Sequence, residues 1–361
     1  MTGSTSPHLP GKLGNPDLTL ATDPRLDPAL LPAVAGMDEA LDAPPAVGPD
    51  SSYEEVVAYA AAMEAEVDQI YPEIFGALPA VPGVRRRTEM IEGVDGNDIA
   101  LFIHEPVDRD DRDGVLPGIL HTHGGGMVMC AAADPQYVRW RDELAATGLC
   151  VVGVEFRNGA GKLGDHPFPA GLNDCATGTR WTYRNRDALG ISHIVVSGES
   201  GGGNLCLAVA LKAKREGWID EIAGVYSCCP YIAGAYDPAP QELVSWRENG
   251  GYQLDPAMCQ ALVKVYDPSG EHVHDPLAWP YQAAVEDLVG LPPHTVSVNE
   301  LDPLRDEGLI YARRLMAAGV RTASRTVNGT HHGGDTDNLV ELPHVYRATI
   351  RDMQAFAASL G

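Results

Sequence analysis

Residues 193–204 constrain this chain more than any other segment, because a β-branched run stops abruptly at a serine between glycines. Ser200 stands in a Gly-x-Ser-x-Gly pattern, and the small residues around it let a strand turn sharply into a helix, which leaves the hydroxyl exposed. Residues 205–216 should form that helix, with its N-terminal amides directed towards the serine. The pattern predicts a nucleophile, although an ordinary strand-to-helix turn can carry the same residues.

A second glycine-rich segment lies upstream, where the apolar run 116–122 and a histidine are followed by three consecutive glycines. Glycine loses more backbone entropy on folding than any other residue, so a triplet in a compact region indicates amides that approach a ligand closely. Acyl transfer forms a tetrahedral oxyanion that such amides stabilise. A flexible hinge loop is the alternative interpretation. The predicted oxyanion donors are the amides of Gly125, Gly126 and Gly201, with Gly124 as a competing candidate.

A serine hydroxyl needs a general base, and the base needs an orienting carboxylate. Downstream, residues 294–300 read as a buried strand, and Asp302 follows this strand with a proline directly after it. That proline keeps Asp302 out of the next helix and in the loop. A further strand at 321–327 runs into a glycine-bounded loop that holds His331 and His332. We predict that His332 is the base, that Asp302 orients it, and that His331 packs beside it.

In their order along the chain, these motifs resemble the hormone-sensitive-lipase branch of the α/β-hydrolases. Members carry His-Gly-Gly-Gly ahead of Gly-Asp-Ser-Ala-Gly-Gly-Asn, and the two motifs stand here at 123–126 and 198–204. The resemblance covers about residues 95–335. It implies a serine carboxylesterase that acts on a small-molecule ester or lactone, needs no cofactor or metal, and has a helical cap over its active site.

The chain departs from the family pattern at four places. Glu199 replaces the usual Asp, Gly201 replaces the usual Ala, Gly334 replaces a frequent aromatic residue, and residues 159–165 are extra. None of these changes removes a predicted catalytic group. The missing methyl at Gly201 predicts a looser oxyanion hole, and the extra loop is expected to reshape the pocket wall.

Strand and helix patterns alternate along most of the chain, which predicts an α/β fold with a mainly parallel sheet and helices on both faces. Catalytic groups should then gather at the carboxyl ends of the strands. We expect an N-terminal arm with cap helices at 1–80, a catalytic domain at 81–229 and 275–361, and a cap insertion at 230–274.

The N-terminal part has two regions of different character. Residues 1–50 are rich in Pro, Gly, Asp and Ala without periodicity, which predicts an extended arm or a partly disordered tail. Ser51 or Ser52 then opens an amphipathic helix whose apolar residues recur at three- and four-residue steps. The helix is expected to end near Pro72 or Gly76.

Composition excludes some partners. The formal charge of −24 argues against nucleic-acid binding, which needs clustered Lys and Arg. The N-terminus lacks the pattern of a signal peptide, and no apolar stretch approaches about 20 residues, so no membrane partner is expected. The 7 cysteines, an odd number, lie in apparent core segments and indicate reduced thiols. Cytoplasmic residence is the expectation, and the oligomeric state stays open.

Two other functions are compatible with parts of the sequence. A non-catalytic small-molecule receptor on the same fold is one, although the presence of both His332 and Asp302 argues against it. A metal-dependent hydrolase is the other, with ligands from His121-x-His123 and His272-x-His274-Asp275. Such histidine pairs are common by chance, so the serine esterase is the favoured interpretation.

Overall fold

The computed structural model describes residues 9–35, 47–48, 50–109, 114–236 and 238–361. Eight strands form one sheet: β1 (Val84–Glu92), β2 (Asp98–Pro106), β3 (Leu116–Thr122), β4 (Cys150–Val154), β5 (Ile191–Glu199), β6 (Gly224–Cys228), β7 (His294–Asn299) and β8 (Thr322–Val327). Their order in the sheet is β1-β2-β4-β3-β5-β6-β7-β8. β2 is antiparallel to both β1 and β4, and the other pairs are parallel. The predicted mainly parallel α/β fold is confirmed.

Seven longer helices accompany the sheet: α1 (Tyr53–Gly76), α2 (Pro135–Ala145), α3 (Ala170–Arg184), α4 (Gly201–Glu216), α5 (Pro256–Tyr266), α6 (Arg305–Ala317) and α7 (Pro343–Ala358). Short α-helical turns lie at Leu31–Val34, Arg186–Leu189, Ser245–Asn249, Val285–Leu288 and Gly334–Asp337. Short 3-10 turns lie at Gly11–Leu13, Pro28–Leu30, Gly161–Leu163, Ile219–Glu221 and Pro280–Gln282. None of the helices in the described residues is long and apolar enough to cross a membrane.

The central strands are buried on both faces, and their side chains alternate between two layers of helices, as the two-residue period of a strand requires. One layer contains α2 and α7, and the other contains α3 and α4. The layer of α2 and α7 packs against Ile119, Val151 and Val195. The opposite layer packs against the next residue of each strand, Leu120, Val152 and Val196. The core of the molecule therefore lies on both sides of β3, β4 and β5.

Helix α1 begins where the sequence places a helix-capping serine. The hydroxyl of Ser52 accepts a hydrogen bond from the Glu55 amide at 3.2 Å, and the Glu55 carboxylate accepts one from the Ser52 amide at 2.7 Å. This reciprocal pair satisfies two amides that a helix N-terminus otherwise leaves unpaired. The helix continues past Pro72 to Gly76 and packs against α5.

The described part of the N-terminal region, residues 9–35, is an ordered arm. Four of its apolar side chains are buried against residues that come much later in the chain. This cluster consists of Leu20, Leu26, Leu30 and Val34 from the arm with Tyr252, Leu301 and Leu342. The expectation of an extended arm therefore applies to residues 9–35, and the rest of that expectation, on 1–8, 36–46 and 49, lies outside the described residues.

The arm also hydrogen-bonds the loop that follows β8 and, through Asn249, is connected to the loop that follows β7. The Asp27 amide donates to the Gly329 carbonyl at 2.9 Å, and the Arg25 guanidinium donates to the Asn249 side chain at 2.9 Å. Asn249 in turn donates to the carbonyl oxygens of Glu300 and Asp302. The arm therefore braces the loop that holds Asp302.

Candidate active site

Ser200 lies at the turn between β5 and α4 in a backbone conformation that few residues other than glycine adopt. Its φ is 56° and its ψ is −117°. Such strained residues persist only where their surroundings fix them, and they are concentrated at functional sites. Here the Ser200 amide donates to the Cys228 carbonyl at 3.0 Å, and the Ser200 carbonyl accepts from the amides of Asn204 and Tyr231. These contacts hold the serine at the carboxyl end of β5.

The glycines around Ser200 are required by packing against the end of β3. A Cβ atom on Gly198 would lie 2.3 Å from the Thr122 hydroxyl oxygen, and one on Gly202 would lie 2.0 Å from the Thr122 carbonyl oxygen. Both distances are too short for any side chain. The Gly-x-Ser-x-Gly spacing therefore lets the serine turn approach the segment that follows β3.

The structure brings Ser200, His332 and Asp302 into one hydrogen-bonded chain. Nε2 of His332 lies 2.9 Å from Oγ of Ser200, and Nδ1 of His332 lies 2.8 Å from Oδ2 of Asp302. Asp302 is fully buried, and its Oδ1 accepts a hydrogen bond from the Leu304 amide at 2.8 Å. Because the ionised carboxylate can only accept, Nδ1 carries the proton and Nε2 is available to accept one from Ser200.

Two opposing effects set the pKa of His332. Burial lowers this pKa, but the charge of Asp302 and its hydrogen bond outweigh burial, with further contributions from Asp337 and Asp335, so that the pKa is raised. An imidazolium formed during the reaction is thereby stabilised. A raised pKa also makes His332 a stronger proton acceptor than an unperturbed histidine.

The neighbouring His331 has a different environment. Its Nδ1 lies 2.6 Å from Oε1 of Gln253 and 3.0 Å from the His332 carbonyl oxygen. Burial lowers the pKa of His331 to about 4, which keeps the ring neutral near neutral pH. The structure therefore places His332 at the serine and His331 in a supporting, packed position.

The segment from Gly124 to Cys130 follows β3 and lies beside Ser200. It is here called the oxyanion loop, after the role predicted for its glycine amides. Positive φ angles of 95° and 64° at Gly125 and Gly126 explain why glycine occupies these positions. Within the described residues, the amides of Gly125, Gly126 and Gly201 donate to no protein acceptor. The Gly124 amide differs, because it donates to Oε1 of Glu199 at 3.0 Å.

The extra residues 159–165 pair with the oxyanion loop. The Gly159 amide donates to the Met127 carbonyl, and the Ala160 amide donates to the Val128 carbonyl, both at 2.9 Å. Inside the loop, the Gly125 carbonyl accepts from the amides of Val128 and Met129 at 3.0 and 3.1 Å. These hydrogen bonds hold the loop beside the serine.

The expectation that Gly201 loosens the oxyanion hole is wrong. A Cβ atom on Gly201 would lie 2.6 Å from the backbone nitrogens of both Gly126 and Met127. The volume that a methyl group would occupy is therefore filled by the oxyanion loop itself. Glycine at position 201 therefore lets the oxyanion loop approach the N-terminus of α4 to a distance that a Cβ atom would prevent.

Gly201→Ala is therefore expected to impair the ester hydrolysis that the sequence predicts, although alanine is the usual residue of the resembled family at this position. The methyl group must displace backbone amides, so we expect kcat to fall about 10-fold to 10²-fold, below the 10²–10³ for complete loss of one oxyanion donor. Steady-state kinetics on a short p-nitrophenyl ester would measure the change. Gly76→Ala is the matched control, since a Cβ atom there meets nothing within 4 Å. An unchanged or higher kcat for Gly201→Ala would contradict the prediction.

A cavity of about 200 Å³ opens onto Ser200 and His332. Apolar side chains of α1 and α5 form much of its wall, namely Met63, Val67, Met258 and Leu262. The polar groups that line it include Glu199, Gln253 and Asp337. A larger groove of about 640 Å³, between β1 and helices α3 and α4, contains none of the predicted site residues.

Two carboxylates in this cavity were not predicted from the sequence as site residues. Glu199 bridges Nε2 of His121, at 2.9 Å, and the Gly124 amide, so it anchors the start of the oxyanion loop. Asp337 lies one turn beyond His332, and burial together with the nearby charge of Glu199 raises its pKa to about 7. An aspartate five residues after the histidine is the only signal the sequence offered for Asp337.

Two of the four histidines considered as metal ligands, His121 and His123, have other partners. His121 is bonded to Glu199, and Nδ1 of His123 lies 2.8 Å from the Gly124 carbonyl oxygen. The ring of His123 also stacks on Phe156 with 4.1 Å between ring centroids. Among the described residues, no group of three or more His, Cys, Asp or Glu side chains is arranged to hold a metal ion.

Comparison with known proteins gives consistent matches to ester hydrolases. A family model described as the alpha/beta hydrolase fold matches residues 119–335. The structure of brefeldin A esterase, described as a bacterial homologue of human hormone-sensitive lipase, has a TM-score of 0.90 and 44% identity, and the match covers 97% of this chain and 98% of that one. A structure of esterase Est22 has a TM-score of 0.82 and 35% identity, with 94% and 99% covered.

Curated relatives match a similar part of the chain. Carboxylesterase NlhH of Mycobacterium tuberculosis is 32% identical over 282 residues, which cover 76% of this chain and 83% of that protein. The arylesterase of Saccharolobus solfataricus is 30% identical over 260 residues, which cover 71% and 79%.

Proposed function

Because this chain belongs to the α/β-hydrolase family and is a carboxylic ester hydrolase, we propose that Ser200 is its nucleophile, His332 its general base and Asp302 the residue that orients the base. The observation that carries this proposal is the chain of two hydrogen bonds, 2.9 and 2.8 Å long, that links the three side chains. Nucleophile and base within hydrogen-bond reach, with the base held by a third group, are the requirements for serine catalysis.

The geometry supports a two-step reaction. Oγ of Ser200 attacks the ester carbonyl carbon while Nε2 of His332 takes the hydroxyl proton. The resulting oxyanion accepts hydrogen bonds from the amides of Gly125, Gly126 and Gly201, and its collapse releases the alcohol, which receives the proton from His332. Water, activated by His332, then hydrolyses the acyl-enzyme and restores Ser200. Asp302 stabilises the imidazolium in both steps.

We further propose the domain division expected from the sequence, with an N-terminal arm and cap helices in 1–80, a cap insertion at 230–274, and a catalytic domain formed by 81–229 and 275–361. Support comes from α1 and α5, which supply apolar walls of the cavity above Ser200. The arm differs from these helices, because its apolar side chains pack against Leu301 and Leu342 and not against the cavity wall.

For the substrate, we propose a macrocyclic lactone related to brefeldin A, in addition to simple esters. Support comes from the likeness to brefeldin A esterase, which extends over 97% of this chain and thus includes parts outside the shared catalytic motifs. A short-chain or aryl ester is the second candidate. The cavity of about 200 Å³ favours a small ester, because sites for drug-sized ligands have volumes of roughly 300–1,000 Å³. A macrocycle therefore requires α1 and α5 to separate.

The test is hydrolysis of a p-nitrophenyl ester series, from short to long acyl chains, with brefeldin A assayed alongside. We expect short esters to be cleaved fastest and the lactone ring to be opened. Cleavage of short esters alone would retain the ester hydrolase and overturn the lactone proposal. Binding of these compounds without turnover would favour the receptor alternative and overturn the catalytic proposal.

A further inference from the structure

Of the acidic side chains on helix α1, Glu64 alone is buried. The other acidic side chains of this helix face solvent. Glu64 has only 4% of its surface exposed, and it forms no ion pair with any described residue. Its two oxygens instead accept hydrogen bonds from backbone amides, Oε1 from Cys130 at 2.7 Å and Oε2 from Lys162 at 2.6 Å. Bonds of this charge-assisted kind are among the stronger hydrogen bonds in proteins.

The first of these bonds fixes the end of the oxyanion loop. Cys130 is its last residue and has a φ of 74°, which is uncommon outside glycine. Its carbonyl oxygen accepts a hydrogen bond from the Asn158 side chain at 2.6 Å. Glu199 holds the other end through the Gly124 amide. Two carboxylates therefore hold the ends of the oxyanion loop, Glu199 at the serine turn and Glu64 on α1.

The second bond joins α1 to the segment 159–165, which itself pairs with the oxyanion loop. Glycine is required for this contact, because a Cβ atom on Gly161 would lie 2.6 Å from Oε2 of Glu64 and the φ of Gly161 is 67°. The Lys162 ammonium adds ion pairs to Asp68 of α1, at 2.8 Å, and to Asp134, at 2.7 Å. A single carboxylate therefore connects α1 with both loops.

Adjacent residues of α1 face the substrate cavity. Met63 and Val67, one residue before and three after Glu64, line the wall above Ser200. The same helix therefore contacts whatever occupies the cavity and holds the loop whose amides face the oxyanion. Movement of α1 to admit a substrate would withdraw the carboxylate from Cys130, and its return would restore the bond.

We infer that Glu64 is a positioning residue that makes the geometry of the oxyanion hole depend on the seating of α1 over the bound substrate. The inference rests on the proposed function, since it assigns the oxyanion role to this loop. Binding energy from the part of the substrate beneath α1 is then used to order groups that act in the transition state, which raises kcat more than it lowers KM.

The test compares Glu64→Gln with Glu66→Gln, which makes the same chemical change at an exposed position of the same helix. The glutamine amide group would face one of the two backbone N–H groups, so one bond is lost. We expect kcat on a short p-nitrophenyl ester to fall about 10-fold to 10²-fold, below the 10²–10³ for complete loss of an oxyanion donor, while KM changes by less than about threefold. Glu66→Gln should match the wild type.

A second readout separates positioning from a purely structural role. Affinity for a trifluoromethyl ketone, which forms a tetrahedral adduct with the serine, should fall in parallel with kcat in Glu64→Gln. Unchanged kcat with a lower melting temperature, or a raised KM at constant kcat, would overturn the inference. If Glu64→Gln does not fold, Gly161→Ala is the second variant. Its methyl group would displace the Glu64 carboxylate from the amides and should give the same loss of kcat. Folded Gly161→Ala with normal kcat would also overturn it.

Different results would contradict the proposed function and the role of Glu64. A wild-type protein without ester hydrolysis would contradict the proposed function itself. An active wild type that depends on Ser200, with Glu64→Gln equally active, would contradict only the role of Glu64.

Discussion

Ser200→Ala is expected to lower kcat for ester hydrolysis about 10⁴-fold to 10⁶-fold, as removal of the nucleophile does in other serine triads. Without Oγ no acyl-enzyme can form, and only the oxyanion donors and substrate binding still accelerate the attack of water. Steady-state kinetics with a p-nitrophenyl ester, corrected for spontaneous hydrolysis, would measure the loss.

Ser192→Ala is the matched control, because Ser192 is an exposed serine at the opposite end of the same strand β5. It should keep wild-type kinetics. A fluorophosphonate that labels active serines should add its mass to the wild type and to Ser192→Ala, but not to Ser200→Ala. Retained turnover in Ser200→Ala would show that the nucleophile has been assigned to the wrong residue.

Asp302→Asn is expected to lower kcat by about 10⁴-fold, the scale known for this exchange in a serine triad. The Leu304 amide donates to Oδ1 of Asp302, so the amide oxygen of asparagine should occupy that position and the NH₂ group should face His332. Nδ1 would then have to accept a hydrogen bond, which places the ring proton on Nε2. A protonated Nε2 cannot take the proton of Ser200.

The pH profile of Asp302→Asn provides a second check. Burial lowers the pKa of His332, whereas Asp302 is the largest raising contribution, ahead of Asp337 and Asp335. Removal of the Asp302 charge must therefore lower the pKa of His332. The acid limb of kcat/KM, which requires neutral His332, should therefore move to lower pH while the plateau falls. Asp220→Asn, at an exposed turn, is the control and should leave the profile unchanged. An acid limb that stays in place or moves to higher pH would contradict the coupling of Asp302 to His332.

Chain order and local pattern were sufficient to predict the sheet and to select Ser200, Asp302 and His332. Each follows a β-branched or apolar run, and parallel strands bring their carboxyl ends to one edge of the sheet, so residues far apart in sequence had to meet there. The choice between His331 and His332 had weaker support from the sequence, because both lie in one glycine-bounded loop. Contacts with Gln253 and Asp302 distinguish the two rings.

What could not be predicted depends on contacts between distant segments. The fit at Gly201 involves the backbone of a loop some 75 residues earlier, and no local pattern encodes that distance. Glu64 and Glu66 look alike in an amphipathic helix, yet one is buried against two amides and the other faces solvent. Tertiary packing alone separates them, so the support of the oxyanion loop was visible only in the structure.

The N-terminal arm has a consequence for the way this protein is made. Translation produces the arm well before its partners, since Tyr252 lies 229 residues beyond the Asp23 carboxylate that accepts its hydrogen bond, and Leu342 follows later still. Until those partners leave the ribosome, four apolar side chains of the arm lack the residues against which they pack. The arm therefore docks only after these later segments have been synthesised, and until then a nascent chain exposes it to proteases and chaperones.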